Sequence, residues 1–312
     1  MSAGRRHLGR VALLLVLIGL VVPTSAVHPA TLSLTRIETA EKVDFADGVV
    51  WLLALGSDAR PGEDVTDARV DAVQLVGLDL ERGRAVGIGI PRDYYFELPD
   101  DGDGDGGFGR FNELTDPERA AAAVEDLTGI TPSYVLVTRF EGFRAMVDAI
   151  GGLVVRSDTA FTDPYTGITV QRGPNSFDGE AALDYTRSRR LVGDDFRRSA
   201  NQQLAMLAIL RGLVAGEDEA GFLERGALAA ITGLQTDLSP IELYRLAQAV
   251  TQVRPDQVTS CVLPGDPDEI PSGASVVVPR FEEAARMGED ATDNLRLDRP
   301  CWLTPGRPRA RG

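Results

Sequence analysis

The stretch Tyr185–Gln203, YTRSRRLVGDDFRRSANQQ, gathers Arg187, Arg189, Arg190, Arg197 and Arg198 into one short window. The whole chain carries a formal net charge of −15, so this cluster runs against the prevailing sign. Like charges held this close repel one another unless an anion sits among them. Either Asp194 and Asp195 neutralise a solvated helix face, or the guanidinium forks hold an anionic ligand. Acids and bases also recur beside apolar runs elsewhere. GSD puts Asp58 after one such run, RVD sets Arg69 and Asp71 at the start of another, and IPRDYY sets Arg92 and Asp93 after a third. Taken singly, Asp58 has the type to cap a turn and the arginines to be surface charges. Together they offer two acids to a hard cation and several forked donors to phosphate oxygens.

The residues that are missing narrow the chemistry. Both histidines, His7 and His28, lie in or beside an N-terminal leader, so the folded body has none. That excludes a Ser-His-Asp or Cys-His relay and a histidine-ligated zinc site. An enzyme built from this chain works with carboxylates, arginines, hydroxyls and a hard cation. The run DGDGDG at 101–106 fits the first half of a calcium loop. Its twelfth position, however, is Asn112 where a Glu is needed, and the run follows a strand, so it reads as an acidic turn. A sequence pI near 4.6 argues against a nucleic-acid partner, because duplex affinity is dominated by cationic contacts to phosphate.

Arg5, Arg6 and Arg10 precede the apolar run Val11–Val22, then Pro23 and a small-residue stretch ending at Ala26. This is the layout of an export signal over 1–26, either cleaved or kept as a membrane anchor. In the oxidising compartment beyond, Cys261 and Cys301 allow a single pairing, a disulfide stapling the C-terminal tail; the alternative is two unrelated buried thiols.

The elements that must position these groups follow from periodicity and punctuation. Strands are expected over Val49–Gly56, Val70–Leu80, Arg84–Ile90, Ser133–Phe140, Val258–Gly265 and Ala274–Pro279. Helices are expected over Asp116–Gly129, Glu141–Gly152, Asp178–Arg190, Asp194–Gly216, Ser239–Val253 and Phe281–Gly288. The alternation predicts an α/β (α+β) domain with a central mixed sheet flanked by helices on both faces. It spans 49–289, after a linker at 27–48 and before a polar, Pro-containing tail at 290–312.

LLALGSDAR, RVDAVQLVGLD, IGIPRDYYFELP, FEGFRAMVDAIGGLVV, DGEAALDYTRSR and DDFRRSANQQ occur in order and at spacings that resemble the LytR-CpsA-Psr family of extracytoplasmic phosphotransferases. The resemblance covers roughly Val49 to Gly288. It implies transfer of a glycopolymer from a polyprenyl-pyrophosphate carrier to peptidoglycan at the membrane surface, assisted by Mg²⁺ (or Mn²⁺). A non-catalytic polyprenyl-phosphate-binding or regulatory module is the alternative. By position, Asp58 and Asp71 match metal-associated aspartates, and Arg69, Arg92, Arg187, Arg189, Arg198 and Gln202 match pyrophosphate ligands. Asp58 or Asp93 is the implied base. Val70 and Ala72 stand where the family usually has Ser and Thr, and Asn201 where it usually has Arg. An Arg-rich, Lys-poor composition suggests an actinobacterium, which leans the polymer towards arabinogalactan or an analogue; teichoic acid is also compatible.

Overall fold

The computed structural model describes residues 32–37, 49–60, 62–79, 81–100, 107–189, 194–216, 234–236, 238, 250 and 252–297. In chain order the strands are β1 (Leu32–Arg36), β2 (Val49–Ser57), β3 (Val70–Asp79), β4 (Arg84–Gly89), β5 (Tyr95–Glu97), β6 (Phe108–Arg110), β7 (Tyr134–Arg139) and β8 (Leu153–Ser157). They continue as β9 (Phe161–Thr162), β10 (Thr169–Val170), β11 (Gly173–Phe177), β12 (Leu234–Thr236), β13 (Val258–Val262), β14 (Gly265–Glu269) and β15 (Ser275–Pro279). The helices described are α1 (Pro117–Thr128), α2 (Phe140–Ala149), α3 (Gly179–Arg187), α4 (Asp194–Gly216) and α5 (Phe281–Asn294).

A seven-stranded sheet in the order β12-β1-β7-β2-β3-β4-β13 forms the centre. It is mixed: β2 pairs antiparallel with β3 and β3 with β4, while β2 runs parallel to β7 and β4 parallel to β13. Strand alternation divides it into two faces. Leu53, Leu55, Val73, Leu75, Val86 and Ile88 share one buried cluster with Ala120, Val124 and Leu127 of α1 and with Ala284 and Ala291 of α5. The residues between them point the other way, where Leu52 and Val76 pack with Leu210 of α4. Helices therefore cover both faces, as expected.

Local signals act where they were read. Asp116 caps α1 by accepting the Arg119 N–H at 2.9 Å, Pro117 opens the helix, and Gly129 ends it with φ +70°. Asp178 caps α3 in the same way, accepting from Ala181 at 2.9 Å. Helix α4 occupies Asp194–Gly216 as predicted.

Two boundaries need correction. β1 lies inside the expected 27–48 linker, yet it pairs along its whole length with β7 and buries Leu34 to 6%. Five residues bounded by polar chain carry too weak a periodic signal to reveal an inner strand. The expected tail at 290–312 also begins too early. Helix α5 runs on to Asn294 because Ala291 and Leu295, apolar positions among acids, bury into the main core. Strands β5, β6, β9, β10 and β12 went unread because they span two or three residues, and β11 and β14 because Pro and polar residues fill them; β8 was also unread. The leader expected at 1–26, the acidic turn expected at 101–106 and nearly all of the helix expected over Ser239–Val253 lie outside the described residues.

Candidate active site

Because β2 and β4 run together and β3 runs against them, the C-terminal ends of β2 and β4 meet the start of β3 at one edge of the sheet. Ligand sites in sheets of this kind gather at such an edge. Asp58 leaves the end of β2, and its backbone N–H donates to the Arg69 carbonyl at 3.0 Å, which closes the ladder. One step in, Gly56 pairs with Ala72 but Ser57 pairs with Val70, so Asp71 is the extra residue of a β-bulge. Bulges re-aim side chains, and here the carboxylate of Asp71 forms an ion pair with Arg92, from just beyond β4.

Two further segments converge on this edge. At the end of α3, Arg187 holds its Nε 3.9 Å from Asp71 Oδ2, with its guanidinium 4.7 Å above the Phe140 ring. On the first turn of α4, Arg198 is ion-paired with Asp195 and lies 3.8 Å from Asp93 Oδ2. Asp195 in turn accepts the backbone N–H of Asp93 at 3.3 Å, and Asn112 donates to Asp93 Oδ1 at 3.3 Å. Sequence reading offered Asp195 as a partner of these arginines but gave Asn112 no part in the site. The i, i+3 spacing of Asp195 and Arg198 was the available signal.

The electrostatics mark this as one region. Arg198 is only 3% exposed, and burial first, then the charges of Arg92 and Arg189, hold its proton affinity below the ordinary value. Asp58 sits on an exposed residue, yet partial desolvation of its carboxyl and repulsion from Asp71 raise its pKa. Arg69, Arg187 and Arg189 are exposed, so the basic side of the cluster faces solvent. Among the described residues no group of three or more His, Cys, Asp or Glu could form a metal cage. Two mutually repelling carboxylates do fit Mg²⁺, which is held by one or two carboxylates and completed by water and phosphate oxygens.

Several guanidinium forks beside carboxylates at one sheet edge suit the oxygens of an anionic phosphate ligand. Residues 24–292 match the LytR_cpsA_psr family. The chain belongs to this family. It is 29% identical over 209 residues to the polyisoprenyl-teichoic acid–peptidoglycan teichoic acid transferase TagU of Bacillus cereus, covering 65% of each chain. It is 30% identical over 210 residues to the probable cell wall biosynthesis protein LcpB of Corynebacterium glutamicum, covering 62% of this chain and 49% of that one. The matched stretch thus spans less than two thirds of either relative. Its fold resembles that of the LytR-CPS2A-psr family protein YwtF (TagT) with bound octaprenyl pyrophosphate lipid, with a TM-score of 0.59, 21% identity and coverage of 83% and 95%.

Against the family's pattern, the unusual residues have structural places. Val70 is buried in the main core, and Ala72 abuts Gly56 so closely that a Cβ there would lie 3.0 Å from its own. Asn201 is buried and donates to the Tyr185 carbonyl at 3.4 Å. Gln202 differs from its expected use. Its amide donates to the Asp71 carbonyl at 3.1 Å and accepts from Gln74 at 3.1 Å, so it clamps α4 to β3 and is not turned out towards a ligand. Gln74 also donates to Ser199 Oγ at 3.1 Å, and Gly89 lets the helix come this near, since a Cβ there would meet Ser199 Oγ at 2.3 Å. Arg197 points away, 3.4 Å from exposed Asp158. Arg190 lies outside the described residues. Cys261 is fully buried and disulfide-bonded; Cys301, its expected partner, lies outside the described residues.

Proposed function

We propose that the chain is an extracytoplasmic phosphotransferase that moves a glycopolymer from a polyprenyl-pyrophosphate carrier to peptidoglycan. The observation that carries this reading is the convergence of Arg92, Arg187 and Arg198 on Asp71 and Asp93 at one sheet edge, with Arg69 and Arg189 facing outward beside them. The names of TagU and of the octaprenyl-pyrophosphate-bound YwtF support the substrate class.

In this mechanism the arginines grip the non-bridging oxygens of the pyrophosphate and orient it; planar forks suit those oxygens better than ammonium groups. A muropeptide hydroxyl attacks the sugar-side phosphorus, the bond to the bridging oxygen breaks, and polyprenyl phosphate leaves. The hydroxyl proton passes to a carboxylate at the cleft, Asp58 or Asp93. Transfer of this kind depends chiefly on alignment and on neutralising charge. Asp58 and Asp71 are the residues that would hold Mg²⁺ (or Mn²⁺), which when bound supplies charge neutralisation at phosphate oxygens. The leader at 1–26 would deliver the domain to the outer membrane surface, where both substrates reside.

The test is release of polyprenyl phosphate when the purified chain meets a short-chain glycan-pyrophosphate lipid and peptidoglycan, with Mg²⁺ and with chelator. Release with Mg²⁺ that chelator abolishes is expected. Lipid binding without release would favour a non-catalytic module, and no binding would overturn the reading.

A further inference from the structure

Asp163, in the turn between β9 and β10, is absent from the catalytic reading, yet it is a carboxylate only 1% exposed. One of its oxygens serves its own turn, accepting the N–H groups of Tyr165 at 2.7 Å and Thr166 at 3.3 Å. That much is an ordinary Asx turn. The second oxygen does something else: it accepts the backbone N–H of Arg189 at 2.9 Å, across 26 residues. The turn that presents it is itself closed, with Asp163 N donating to the Ile168 carbonyl at 2.9 Å and Gly167 N to the Asp163 carbonyl at 2.8 Å.

The anchored point matters because of where it lies. Ser188 ends α3 in extended geometry, φ −60° and ψ 133°, so Arg189 follows the helix without helical hydrogen bonding to place it. Its guanidinium is near enough to that of Arg198 to disfavour the latter's charge, and Arg92 acts on Arg198 in the same sense. Three cations drawn to one region push each other apart. A cation on an untethered backbone is the one free to swing outward into water. A buried carboxylate gripping the main chain of Arg189 limits that freedom at its root.

We infer that Asp163 is a positioning residue for substrate phosphate: it holds the backbone of Arg189 and so fixes where this exposed guanidinium starts from at the rim of the site. The inference rests on reading the cleft as a pyrophosphate site. Asp163 touches no ligand in this account and acts through Arg189 alone.

A double-mutant cycle read by calorimetric titration with inorganic pyrophosphate in Mg²⁺ tests it on the full chain. Asp163→Asn and Arg189→Ala should each weaken binding on the order of tenfold, the loss of one charged hydrogen-bond partner. The double variant should bind no more weakly than Arg189→Ala, because the two act through one contact. Thermal melts confirm that each variant is folded, and amide exchange at Arg189 should quicken in Asp163→Asn. Additive losses, or unchanged exchange at Arg189, would overturn the inference and leave the pyrophosphate reading standing. A wild-type chain that binds no pyrophosphate would overturn both, before any variant is made. Should Asp163→Asn fail to fold, Asp163→Glu, which keeps the charge one methylene away, carries the same cycle with a smaller loss expected.

Discussion

The two faces of the central sheet are packed differently where α4 begins. On one, α1 and α5 press Ala120, Val124, Leu127, Ala284 and Ala291 against Leu53, Leu75 and Ile88 in a dry cluster. On the other, the first turns of α4 bury Arg198, Ser199, Asn201, Gln202 and Gln203, all under 9% exposed. Apolar packing is non-directional and tolerates small shifts, whereas buried amides and charges must meet partners at fixed angles. Both faces bury apolar side chains, Leu52, Val76 and Leu210 among them on the second, but only the second also sets where Arg198, Asp71 and Asp93 stand.

The sharpest way to break that contrast is a pair of truncations. Asp195→Ala leaves Arg198 buried without its nearest partner, which should cost about 3 to 5 kcal/mol and abolish transfer even in folded molecules. Leu75→Ala, fully buried on the other face, should cost a similar amount, roughly 2 to 5 kcal/mol, while its folded fraction keeps wild-type pyrophosphate affinity. Denaturant unfolding and titration on both variants decide it; equal loss of affinity would mean that the faces are not separate.

Cys261 anchors the polar face from below, its carbonyl accepting Gln203 Nε2 at 2.6 Å. If its disulfide is with Cys301, the native chain has no titratable thiol, and reduction lowers stability by about 2 to 4 kcal/mol. Two reactive thiols in the native protein would refute the pairing.

Next come the ligand arginines. Arg187→Ala, Arg189→Ala and Arg198→Ala should each weaken binding of a short-chain pyrophosphate lipid by roughly ten- to hundredfold, with lysine rescuing only partly. Arg197→Ala breaks an exposed pair and should change stability by about 1 kcal/mol or less and binding hardly at all. Equal losses across all four would reduce the window to a diffuse charge patch.

The subtlest test uses acid. Burial would raise the pKa of Asp163, but N–H donation from Arg189, Tyr165 and Thr166 outweighs it and holds the group below its ordinary value of 3.8. A lowered folded pKa means that the contribution is complete above 3.8 and fades as pH falls below it. The stability gap between wild type and Asp163→Asn should therefore narrow in that acid range, measured by unfolding at stepped pH. A gap independent of pH would show that the charge of Asp163 is not what anchors Arg189.

Much of the framework was legible along the chain. Asp116, Pro117 and Gly129 bound α1 by rules that involve only neighbouring backbone, and the leucines of α4 mark its apolar side at helical spacing. The candidate acids and bases were legible too, since Asp58, Arg69, Asp71, Arg92 and Asp93 flank long apolar runs that could only be strands. Short strands such as β9 and β10 were not, because two residues hold too few periods to rise above irregular chain.

By itself the sequence determined the residue types available to the chemistry, the strong helices with their caps, the apolar runs of the inner strands and the lack of histidine beyond position 28. Those properties depend on near neighbours or on composition. Tertiary structure alone decided that Asp71 is the bulge residue, that Gln202 donates to the carbonyl of Asp71, and that Asp163 accepts the backbone N–H of Arg189. Strand register and the direction of a side-chain hydrogen bond are set by partners far along the chain, 131 residues away for Gln202 and Asp71, and a one-residue change of register turns every side chain to the opposite face.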